Sequence, residues 1–146
     1  MRDRIFIDSN IFLYTFDSRD EKKQKISKEI VLSQNSIISI QVINEVSNNL
    51  LKKFKFDNSM VKKFIKSCYN RYEVINFTQE IFLLACNIRE SYNISYYDSL
   101  IVSTAISAKC TILYSEDMQH ELKIDNLVIL NPLYSTRKNN NKLDLG

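Results

Sequence analysis

Four acidic residues in this chain stand where side chains can do chemistry: Asp8 in IFIDSNIFLY, Glu45 in QVINEVSNNL, Asp98 in SYYDSLIVSTA and Asp117 in ILYSEDMQH. Each lies where an apolar, strand-like run ends or a helix-like run begins, and no Lys or Arg lies within two residues of any of them. A fold that gathered those edges would bring four uncompensated carboxylates to one place. Such charges repel, raise one another's pKa and oppose folding unless a multivalent cation neutralises them. The donors are all oxygen, which suits Mg²⁺ or Mn²⁺ better than zinc. A hard ion held this way can bind a phosphate oxygen, turn a bound water into a nucleophile and, with a second ion, stabilise a leaving oxygen. Asn10 and Ser115, uncharged and beside the acids, are expected to orient carboxylates or water. Simple capping is the plainer role for both.

The elements that must position these acids can be read from periodicity. Residues 4–8, RIFID, read as a short buried strand ending in Asp8, and Ser9-Asn10 opens a helical stretch through Ile11, Leu13 and Tyr14. A helix is expected over about 20–33, a strand over 36–40 from its β-branched content, and a helix from Gln41 with Val42, Val46 and Leu50 in one stripe. Glu45 falls about one turn into that helix. A further helix over 59–70 and a strand over 73–77 follow. Thr78 is placed to cap a helix in which Ile81, Leu84, Ala85, Ile88 and Tyr92 share a face. Asp98 is expected to cap the next helix, whose apolar residues cover most of its circumference, as in a helix buried on more than one side. Strands at 111–114 and 127–130 complete the set, the last ended by Asn131-Pro132.

Strands alternating with helices predict a parallel sheet flanked by helices, an α/β/α arrangement whose sites form beyond the carboxyl ends of the strands. All four acids fall on that edge. Length and composition agree: 146 residues with 45% hydrophobic content suffice for one domain with a core. It is expected over 1–134, with a flexible tail over 135–146. The net charge of +3 is ordinary for a globular protein. Its distribution is uneven, with 14 Lys/Arg against 9 Asp/Glu over 1–75 and 3 against 7 over 76–136. That polarity could set a phosphate-binding surface beside an acidic pocket, although a solvated helix face accounts equally well for any one lysine. Cys68, Cys86 and Cys110 show no paired spacing and read as buried or neutral thiols in a reducing compartment. With no signal-like leader and no apolar run near the ~20 residues needed to span a bilayer, a cytoplasmic location is expected.

The ordered segments FIDSNIFLY, INEV, YYDSLIVSTA, LYSEDMQH and DNLVILNP together resemble the PIN-domain ribonucleases, most closely the VapC-like toxins of type II toxin–antitoxin pairs. The resemblance runs roughly from Met1 to Tyr134. It implies a central parallel sheet between helices and a Mg²⁺- or Mn²⁺-dependent endoribonuclease. Asp8, Glu45, Asp98 and Asp117 would be the catalytic and metal-binding acids, with Asn10 and Ser115 in support. It implies further that the chain forms a homodimer and that an antitoxin holds it inactive near the active groove. Relatives with a similar ending often carry Gly where this chain has Glu121 and Asn126. Asn tolerates a left-handed backbone, so Asn126 is expected to preserve the turn, whereas Glu121 has no such excuse. His120, alone in a polar loop, reads as a surface residue rather than a general acid. Lys52, Lys53, Lys55, Lys62, Lys63 and Lys66 could track an RNA backbone, while the interleaved Phe54, Phe56 and Phe64 belong to a core or interface.

Two other aspartate-bearing α/β folds fail on residues. A two-component receiver wants an acidic pair after its first strand and a late Lys; an aspartyl-phosphate phosphatase wants D-x-D where this chain has D-x-N. The remaining rival is a PIN-like module that binds RNA or a protein partner without cleaving, and a complete acid set argues against it.

Overall fold

The computed structural model describes residues 3–134. Among these residues the first four strands are joined by pairs of helices and the last three strands follow one another: β1 (Ile5–Ile7), α1 (Ser9–Thr15), α2 (Glu21–Val31), β2 (Ser36–Ser39), α3 (Ile40–Lys52), α4 (Asn58–Arg71), β3 (Glu73–Ile75), α5 (Gln79–Ser91), α6 (Tyr96–Ser107), β4 (Ile112–Tyr114), β5 (Lys123–Ile124) and β6 (Leu127–Leu130). They form one sheet in the order β3-β2-β1-β4-β6-β5. Every pairing is parallel except that of β5 with β6. The expected α/β fold with a parallel sheet flanked by helices is present, and the edge hairpin is the departure from it. Two residues, Lys-Ile, are too short to show a period, so β5 left no mark in the sequence.

The central strands β1 and β2 are buried on both faces. Phe6 and Ile7 point to opposite sides of the sheet and both are 0% exposed, which happens only where helices cover both faces. All four residues of β2 are buried as well. Helix α6 carries this furthest, with every residue from Ser99 to Ala105 buried. Its hydroxyls do not disturb the core because they bond backbone carbonyls, Ser103 Oγ to Ile81 O at 2.6 Å and Thr104 Oγ1 to Leu100 O at 2.7 Å.

Several local expectations need correction. Helix α6 is capped by Ser95, whose side chain accepts the Asp98 N–H at 3.1 Å, so Asp98 is the third helical residue and not the cap. Its carboxylate is thereby left free of capping duty. Residues 53–57 form the loop between α3 and α4, with Lys55 in the left-handed region at φ 58°. Phe54, Phe56 and Phe64 meet Phe16 at ring-centroid distances of 6.4, 5.5 and 6.1 Å, so they belong to an aromatic cluster against α1. In the β5–β6 turn the left-handed residue is Asp125, at φ 52°, rather than Asn126. Cys68 and Cys110 are buried and their thiols are pushed up to about 12 by desolvation; Cys86 is exposed. The tail expected over 135–146 lies outside the described residues. Among those described, no helix is long and apolar enough to cross a membrane.

Candidate metal centre

The strand order reverses at β1 and β4: β2 and β3 lie to one side, β6 and β5 to the other. Such a reversal opens a crevice at the carboxyl ends of the strands. Asp8 follows β1 there, and its N–H donates to Tyr114 O at 3.0 Å, joining the two strand ends. With extended backbone (φ −77°, ψ 161°) it begins α1. Its Oδ1 accepts the Ser9 N–H at 2.7 Å and its Oδ2 the Ser115 hydroxyl at 2.8 Å. The residue is buried, and its carboxyl is raised from 3.8 to about 7. Burial is the largest cause; the Ser115 and Ser9 hydrogen bonds pull the value down, and the negative charges of Glu45 and Asp98 push it up.

Glu45 reaches the same place from the second turn of α3. Its Oε2 accepts the Ser9 hydroxyl at 2.6 Å, and Ser9 Oγ also lies 3.5 Å from Asp8 Oδ1. Ser9 therefore stands between the two acids. The other Glu45 oxygen accepts Gln41 Nε2 at 2.9 Å, and that same nitrogen donates to Tyr97 O at 3.2 Å. Gln41 thus ties Glu45 to the first turn of α6, which carries Asp98. Half-buried Asp98 has its carboxyl raised, first by desolvation and further by Asp117 and Glu45, against the lowering hydrogen bond of Ser95. Asp117, on the loop after β4, is exposed, and its Oδ2 accepts Asn10 Nδ2 at 3.0 Å. Asn10 Oδ1 accepts the Glu116 N–H at 3.1 Å, so one amide orients both ends of that turn. Asp98 and Asp117 line a cleft of about 330 Å³.

The acids are thus graded from floor to rim, Asp8 buried, Glu45 and Asp98 half-buried, Asp117 in solvent. Among the described residues, none of the four is paired with Lys or Arg. Neighbouring Glu116 makes the contrast: Lys23 Nζ lies 3.3 Å away and Tyr14 donates to it at 2.6 Å. For a hard divalent cation the donor set is chemically apt, all oxygen with surplus negative charge and one further buried oxygen, Gln41 Oε1, that has no hydrogen-bond partner. The spacing is open, however: among the described residues no three His, Cys, Asp or Glu side chains converge as a ready-made ligand cluster. Hydrogen bonds from Ser9, Asn10, Gln41 and Ser115 occupy carboxylate oxygens instead.

Ser9 and Gln41 escaped the sequence reading. Gln41 had a signal, since it lies four residues before Glu45 on the same helix face; Ser9 had none beyond adjacency to Asp8. His120 is not the surface residue expected: its side chain is 25% exposed, and its Nδ1 accepts the Asn131 N–H at 2.9 Å.

A family model of the PIN domain matches residues 5–123. The chain belongs to the PIN-domain family. No curated protein sequence matches it. Solved structures similar to this PIN domain include the toxin–antitoxin complex from Klebsiella pneumoniae, at 18% identity and a TM-score of 0.67, covering 88% of this chain and 97% of that one. VapBC2 from Rickettsia felis, bound to a DNA fragment of its promoter, has 19% identity and a TM-score of 0.62, covering 86% and 96%. VapC20 of Mycobacterium tuberculosis, a sarcin-ricin loop cleaving toxin, has 14% identity and a TM-score of 0.61, covering 77% and 89%. At these identities the likeness is one of fold.

Proposed function

We propose that this PIN domain is a metal-dependent endoribonuclease and the toxin of a toxin–antitoxin pair. The observation that supports the reading is that Asp8, Glu45, Asp98 and Asp117 stand, openly spaced, around the β1/β4 crevice with no cationic partner among the described residues, in a fold shared with toxins of such pairs. These four residues would hold Mg²⁺ or Mn²⁺. When bound, the ion neutralises the carboxylates and supplies Lewis acidity toward water and phosphate. The chain's own polar groups do the positioning. Ser115 and Ser9 fix the two oxygens of Asp8, Gln41 and Ser9 fix those of Glu45, and Asn10 aims Asp117.

Hydrolysis by water leaves a 5′-phosphate and a 3′-hydroxyl, whereas attack by the ribose 2′-hydroxyl leaves a cyclic phosphate. End-group analysis of products from a mixed RNA pool, incubated with Mn²⁺, is expected to give 5′-phosphates. Cyclic phosphates would contradict the proposed chemistry. The open spacing of the acids favours one rival, a PIN-like module that binds RNA or protein without cutting; that reading requires intact RNA from folded protein.

The antitoxin partner has a candidate seat in an apolar groove of about 520 Å³ between α1, α2 and α4, lined by Phe12, Phe16, Leu32, Met60 and Phe64. Lys63 and Arg71 line the same groove, and among the described residues no acidic side chain lines it. An amphipathic antitoxin segment bearing acidic side chains along its apolar stripe fits that chemistry. A homodimer and a cytoplasmic location complete the reading, and sedimentation of the isolated protein tests the first.

A further inference from the structure

We infer that His120 is a positioning residue: it clamps the far half of the loop that carries Asp117 onto the turn after β6. The inference rests on the proposed role of Asp117 as a metal ligand.

The near half of that loop is held without it. Ser115 N–H donates to Leu130 O at 3.0 Å and Glu116 N–H to Asn10 Oδ1 at 3.1 Å. Beyond Asp117 the chain must be fastened again, or an exposed carboxylate would swing with its loop. The fastening is built around the His120 ring. Asn131 N–H donates to Nδ1 at 2.9 Å, and the ring lies on Tyr134 with centroids 4.4 Å apart and planes inclined by 15°. Both partners sit on one tight turn, in which Leu133 N–H donates to Asn131 Oδ1 at 2.9 Å and Tyr134 N–H to Asn131 O at 3.2 Å. That turn is anchored by Leu133, which is 0% exposed, and Asn131 is itself buried. Glu121 bends the chain so the ring can reach: its φ of 68° is left-handed, and its N–H donates to Ile129 O at 2.7 Å. Met118, next to Asp117, is buried beneath the loop.

The same contacts occupy one nitrogen and one face of the His120 ring. A ring nitrogen that accepts a backbone N–H carries no proton, and one ring face is covered by Tyr134. The other nitrogen, Nε2, lies 3.6 Å from Glu121 Oε1. The sole histidine of the chain is thus engaged in holding the loop.

The two contacts can be separated by substitution. In His120→Asn the side-chain oxygen can take the place of Nδ1, which keeps the acceptor and loses the stack. In His120→Phe the ring survives and the acceptor goes. Calorimetric titration with Mn²⁺ alone is expected to give near wild-type affinity for His120→Asn and about tenfold weaker binding for His120→Phe, the loss usual for a partner of a metal ligand. Equal affinities in all three proteins would overturn the inference. Amide exchange across residues 116–122 of the metal-free protein tests the clamp apart from the metal. Faster exchange in His120→Phe than in His120→Asn is expected, and identical exchange would contradict the clamp. Faster exchange in His120→Phe beside a wild-type protein that binds no Mn²⁺ would leave the clamp standing and reject the ligand role of Asp117. Should His120→Phe not fold, Tyr134→Ala, at a partly exposed partner, is expected to loosen the same residues by a smaller factor; no change there would count against the clamp.

Discussion

Asp8 is the residue whose environment says most about the site. A carboxyl raised from 3.8 to about 7 by burial is easier to keep protonated in the folded chain than in the unfolded one. In metal-free protein its contribution to stability is therefore complete below pH 3.8 and is lost as pH rises to about 7. Asp8→Asn removes that loss. In EDTA, its stability relative to wild type is expected to improve as pH is raised across this window, with thermal unfolding as the measurement. At pH 8, Mn²⁺ is expected to raise the unfolding temperature of wild type and leave the variant unmoved. Equal pH profiles would place the proton elsewhere. The acid types and their order were legible in the sequence because charged residues at strand ends without counter-charges are conspicuous. Depth was not: nothing in the string distinguishes Asp8, at 4% exposure, from the exposed Asp117, because burial depends on which strands become neighbours.

At the scale of elements, the parallel strands and the helices were readable because period and length agreed, and the α5 cap is the clearest instance, with Thr78 Oγ1 accepting the Ile81 N–H at 3.2 Å. The Asp98 cap misled for a physical reason. Ser95 and Asp98 are both good caps, and the apolar run begins only at Leu100, so pattern alone pointed to the later residue. Ser95→Ala is expected to cost about 1 kcal/mol of stability in chemical denaturation, while Asp98→Ala, which removes no capping bond, costs less. The loop after β4 was only half legible: Glu121 stands where relatives often carry Gly, but a Glu by itself does not announce the left-handed backbone it adopts. Its strain is testable. Glu121→Gly relieves a side chain held at φ 68° and is expected to stabilise the protein by up to about 1 kcal/mol, whereas an unchanged denaturation midpoint would mean that the backbone there carries no strain.

The whole molecule separates two surfaces. The acidic crevice lies at the carboxyl edge of β1 and β4, and the apolar groove lies among α1, α2 and α4, where an antitoxin segment is proposed to dock. Met60 is 43% exposed in that groove, so Met60→Asp costs little folding energy and sets a like charge against an acidic partner. It is expected to weaken binding of the cognate antitoxin by at least about tenfold while leaving RNA cleavage intact; undiminished binding would move the docking site elsewhere. The central claim concerns the crevice. Its most direct test is cleavage of total RNA by purified wild-type and Asp98→Asn proteins, each with Mn²⁺ and with EDTA. Asp98→Asn deletes a charge and keeps the volume of a half-buried side chain that caps nothing, so the fold is expected to survive. Discrete fragments in the wild-type Mn²⁺ lane alone are the predicted result; equal cleavage by folded Asp98→Asn, or cleavage undiminished in EDTA, would contradict the account.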